Sequence, residues 1–124
     1  MARTIRQFLL VEAAAFGAAA LVHRGVLMRG YEHREAAIAE SVLAAVLLAG
    51  LIASVAFPRW TRAAGLTAQG AALFGTMVGV FTMVIGVGPR TTFDVVLHTG
   101  FIIVLVAGLV LGLGARIPGP PAQA

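Results

Sequence analysis

The chain reads as all-α, an integral membrane up-down four-helix bundle. Three observations predict this: four apolar stretches long enough to cross a bilayer, short links between them, and too few charges to coat a water-facing surface. Of 124 residues, 60% are hydrophobic and 11% are Asp, Glu, Lys or Arg. A soluble domain carries about a quarter charged residues, so the solvent these side chains require is lipid.

A helical span takes about 20 residues of 1.5 Å rise each. The first span covers about 5–23 and is broken only by Glu12; the second covers 36–57 and is broken by Glu40. The third, 63–87, holds no charge, and the fourth, 92–115, carries Asp94 and His98 near its start. Strict alternation is missing, and exposed backbone in hydrocarbon is too costly for anything but helix. The whole of 1–124 forms one transmembrane domain, with 117–124 a proline-rich flexible tail. Arg3 and Arg6 ahead of an apolar run imitate a signal peptide, but Glu12 inside that run marks a retained helix.

The links are punctuated. Residues 24–34 hold Gly25, Gly30 and Tyr31; Pro58 to Arg62 stops a helix at a proline and sets Trp60 at the interface; Gly88-Pro89-Arg90 forms a tight turn. Such short links make neighbouring helices antiparallel. Arg3, Arg6, Arg59, Arg62 and Arg116 then share one side, and Arg24, Arg29, Arg34 and Arg90 the other. The first side has the larger arginine count and is expected to be cytoplasmic, placing both termini inside the inner (cell) membrane.

Composition excludes several functions. There is no cysteine, hence no disulfide, thiolate metal site or thiol redox chemistry. The net charge of +4 comes from arginines at span ends, with no basic and aromatic cluster, so the partner is membrane lipid and not nucleic acid. No nucleophile with a partnered base, P-loop or dinucleotide fingerprint occurs, and nothing marks an enzyme.

The polar residues fall into two depths. His23 lies 17 positions from Arg6, Glu40 lies 19 from Arg59, and His98 lies 18 from Arg116. Heights therefore differ by only about 3 Å. A second layer holds Glu12, six positions from Arg6, Gln69, seven from Arg62, and Ser54, five from Arg59. Glu12 with His23, and Gln69 with Thr76 and Met83, share helix faces, as inward-turned stripes would. Gly75-x-x-x-Gly79 and Gly108-x-x-x-Gly112 are small-residue motifs that let helices approach closely.

Two readings of the first layer stand side by side. His23, Glu40 and His98 form a His, His, Glu set able to hold Zn²⁺, Cu²⁺ or Fe²⁺. In that reading Asp94, one turn from His98, orients its second ring nitrogen, and His33 is a further ligand or entry residue. Haem between His23 and His98 is disfavoured by the small-residue packing. Alternatively the same groups are hydrogen-bonded helix cement in an accessory or scaffold subunit, with other membrane subunits or a second copy as partner. An oligomeric transporter is a third reading. Glu12 and Gln69 are expected to pair internally. Arg90 is placed to contact an anionic headgroup or to lock Asp94. In size and four-span plan the chain resembles many small bacterial membrane proteins, including the DoxX-like group; the resemblance is architectural and assigns no residue.

Overall fold

Four long helices account for the structure, a computed structural model that describes residues 1–114. They are α1 (Ala2–His23), α2 (Arg34–Ala56), α3 (Thr61–Val84) and α4 (Thr92–Gly114), with a single 3-10 turn, Pro58–Trp60, between α2 and α3. All four are long and apolar enough to cross a membrane. The proposed tail, 117–124, and Arg116 lie outside the described residues. Helix α1 packs against each of the others, while α2 and α4 stand at opposite corners. The end carrying the 24–33 and 85–91 links is called upper below, and the end carrying Met1 and Pro58 lower.

Local chemistry sets the helix ends. Pro58 begins the 3-10 turn, where its missing N–H costs nothing. His33 caps α2, its Nδ1 accepting the Ala36 N–H at 3.2 Å. Helix α3 ends at Val84, three residues before the expected boundary, and Gly86 at φ 85° turns the chain in a conformation open to glycine. The link to α4 is therefore 85–91 and not a tight turn at Gly88-Pro89-Arg90. Helix α4 starts with a capping box: Thr91 Oγ1 accepts the Asp94 N–H at 3.2 Å, and Asp94 Oδ2 accepts the Thr91 N–H at 2.9 Å.

The core is apolar along most of its length. Leu9, Leu47, Leu105 and Phe16 are buried, and Phe16 stacks on Phe101 with ring centroids 4.0 Å apart. Glycines set the approach of the helices. A Cβ at Gly50 would fall 2.5 Å from Ala68 Cβ, and one at Gly65 would fall 2.5 Å from Ile5 Cγ2. Both small-residue motifs are used: Gly75 faces Leu43 and Gly79 the His98 ring, whereas Gly108 faces Gln69 and Gly112 faces Leu66.

Lower-end arginines also bind helix termini. Arg62 Nε donates to the Gly112 carbonyl at 3.0 Å, near the negative end of α4, and Arg6 donates to the Ser54 carbonyl at 2.5 Å. Trp60 is exposed, with Arg59 5.9 Å from its ring centre, as an interfacial anchor would be.

Candidate functional site

The lower polar layer is a closed pair. Glu12 on α1 and Gln69 on α3 are each 1% exposed, and Gln69 Nε2 donates to both Glu12 oxygens, at 2.9 and 3.0 Å. Gly108 lies against this amide and carboxylate, where a Cβ would collide with both. The pairing expected from the sequence is thus present, sealed by a glycine on a third helix.

The upper layer is built around His23, the last residue of α1. Its Nδ1 lies 2.8 Å from Glu40 Oε2 on α2, and its Nε2 lies 3.0 Å from Asp94 Oδ1 on α4. All three side chains are buried. Carboxylates without protons only accept, so the two bonds require either a doubly protonated imidazole or one protonated carboxyl. Either way, one imidazole ties three helices together. Asp94 also serves the α4 capping box through its other oxygen, so the residue that starts the helix is the one that anchors it to α1.

This arrangement brings together two of the three expected ligands. His23 and Glu40 do meet, but Asp94 and not His98 occupies the second ring nitrogen of His23. Asp94 does not orient His98 through its carboxylate; its backbone carbonyl takes His98 Nδ1 at 2.8 Å. The physical reason is the capping box. It holds the Asp94 side chain at the first turn of α4, facing His23, while His98 lies a turn deeper beside Gly79. Among the described residues, no group of three or more His, Asp or Glu is disposed to hold a metal ion. Zn²⁺, Cu²⁺, Fe²⁺ or an axial haem bond at His23 would have to displace one of its carboxylates.

The remaining expected residues fall nearby. His33 is the α2 cap, 3.7 Å from Glu35, and makes no contact with His23 beyond a backbone bond from its N–H to the His23 carbonyl. Arg90 makes no ion pair with Asp94; it lies by Gly86 and borders a surface groove with Val95 and Thr99.

What sequence reasoning missed is a cavity. A chamber of about 320 Å³ lies between α2 and α3, floored by α1 and α4. Phe16, Phe101, Gly75 and Gly79 form much of its depth, and Glu35, Gly88 and Pro89 mark its upper mouth. On its flank Ala39 and Val78 are exposed, so it opens sideways between two spans. Glu40 and His98 both line it. Glu40 is 4% exposed, and its Oε1 is buried with no hydrogen-bond partner, while its Oε2 is held by His23. An unpaired buried carboxylate oxygen is expensive. The Gly75-x-x-x-Gly79 motif signals close contact, which it makes with Leu43 and the His98 ring, and gives no sign of the space beside it.

Comparisons with protein-family models, curated proteins and solved structures found no match. The likeness to small four-span proteins of the DoxX-like group rests on size and span number alone.

Proposed function

We propose that this chain is a small multi-pass ligand-binding protein of the inner (cell) membrane, with both termini cytoplasmic and its site toward the extracytoplasmic face. One observation carries the reading: Glu40, whose Oε1 is buried and unpartnered, is a wall residue of a chamber large enough for a ligand head. The rest of the upper cluster supports it. His23 fixes Glu40 through Oε2 and is itself fixed by Asp94, so the free oxygen is held in place before anything binds. The occupant is an organic molecule held by hydrogen bonds and not a metal ion, because among the described residues no three His, Asp or Glu side chains are grouped as a metal site would need.

The test is to purify the protein from membranes in mild detergent and identify released small molecules by mass spectrometry, beside elemental analysis. The reading expects a stoichiometric organic molecule that is lost from an Ala39→Phe variant, whose new side chain narrows the lateral opening. A protein carrying stoichiometric zinc, copper or iron instead, or no molecule at all, overturns it.

A second reading, an accessory subunit of a larger membrane complex, draws support from the sealed Glu12–Gln69 pair and the arginine clamps, which serve packing alone. It expects co-purification with larger subunits, and a lone monomer in native mass measurement contradicts it.

A further inference from the structure

The chamber's polar atoms share one property. With Glu40 ionised and the shared proton on His23, Glu40 Oε1 is an acceptor without a donor. His98 donates its Nδ1 proton to the Asp94 carbonyl at 2.8 Å, since a carbonyl can only accept. In the neutral ring this leaves Nε2 as a lone-pair acceptor, and it has no protein partner among the described residues. Two threonines also line the space, and both have spent their protons: Thr76 donates to the Ala72 carbonyl at 2.8 Å and Thr82 to the Gly79 carbonyl at 2.7 Å. Their hydroxyl oxygens therefore present only lone pairs. The one lining side chain with a donor to offer is His33 at the mouth, next to Glu35. The interior is mostly apolar, and its few polar atoms are acceptors, with carboxylates at Glu40 and at Glu35 by the entrance.

Position restricts the ligand further. The chamber runs from the upper helix ends down beside Gly75, in the middle of α3, and its flank opens between Ala39 and Val78, where the helices meet lipid. Its depth is walled by aromatic rings and glycine. An occupant must carry several donors on a compact head and an apolar body that lies between α2 and α3.

We propose that the chamber binds an amphiphilic primary amine, its ammonium group donating to Glu40 and His98 and its apolar chain lying in the opening between α2 and α3. A primary ammonium brings three donors and no acceptor, which matches an acceptor-only lining, and its charge complements Glu40 and Glu35. A carboxylate or phosphate head would meet lone pair against lone pair. This assignment rests on the ligand-binding reading above and names the class of ligand.

The test uses the full chain in phosphatidylcholine nanodiscs, with native mass spectrometry counting retained probe. The probes are dodecylammonium, dodecanoate, dodecanol and ethylammonium. One dodecylammonium per chain is expected, at least tenfold preferred over dodecanoate and dodecanol, with ethylammonium not retained. Glu40→Gln removes the preference. Because that variant also disturbs the His23 bond, Ala39→Phe is the control: its residue is exposed, its fold is undisturbed, and binding falls at least tenfold. Equal retention of dodecanol or dodecanoate, still lost in Ala39→Phe, overturns the amine assignment while keeping the chamber as a ligand site. Ethylammonium binding as well as its long-chain relative overturns entry from the bilayer. No probe retained by the wild type, with no co-purified molecule, overturns both readings.

Discussion

Glu12 and Glu40 are the same residue type, both on membrane-spanning helices and both almost completely buried, yet their surroundings differ in kind. Glu12 has both oxygens taken by one amide and a glycine backbone pressed against it. An apolar groove between α1 and α4 runs past Glu12, but no free polar atom of the carboxylate is left to serve it. Glu40 has one oxygen taken, one free, and a chamber beside it. The difference teaches that an acidic residue in a span is not by itself evidence of a site. What separates cement from a site is whether every polar atom has a partner and whether space adjoins the residue that has one without.

The contrast breaks down in a definite order when residues are changed. The largest effect is expected at His23, the hub of the upper layer. His23→Ala removes two bonds and leaves the Glu40 carboxylate and Asp94 Oδ1 buried without a partner, costing about 3–5 kcal/mol by the behaviour of broken buried pairs. Reversible unfolding in mixed micelles reads this directly, and a loss below about 1 kcal/mol would show that His23 does not join the helices. Next is Gly108→Val, which forces a branched side chain into the Glu12–Gln69 pair and should cost about 1–3 kcal/mol through overpacking. Gly100→Val, with open space around its Cβ position, is the matched control expected to change little.

Gln69→Leu comes third. It leaves Glu12 without its donor and should cost about 1–2 kcal/mol, near the upper range for hydrogen bonds between membrane helices. The smallest expected stability effect is at His98. Its ring bonds only to its own helix, so His98→Phe should shift unfolding by less than about 1 kcal/mol while weakening ligand retention. A loss as large as that of His23→Ala would place His98 in the clasp and not at the chamber wall.

Much of this was legible beforehand for a plain reason. Hydrocarbon permits only helices of a set length, so four spans and their antiparallel order follow from hydropathy and from Gly25, Pro58 and Pro89. The depth count placed Glu12 with Gln69 and His23 with Glu40, and both pairs formed. It failed at His98 because height along a helix says nothing of rotation about it. Asp94 sits one turn above His98 on α4, and the Thr91-x-x-Asp94 capping box decides that its carboxylate is the one turned to His23. That box is visible in the sequence and was the overlooked clue. The chamber was not legible, since a gap walled by residues of all four helices has no signature in any one span.

The central claim is that Glu40 is reached through the chamber and Glu12 is sealed. Treating the nanodisc-embedded protein with a lipid-soluble carbodiimide, then mapping modified carboxyls by peptide mass spectrometry, compares the two in one sample. The account predicts adducts on Glu40, suppressed by Ala39→Phe, with Glu12 unmodified. Modification of Glu12 as fast as that of Glu40 would contradict it.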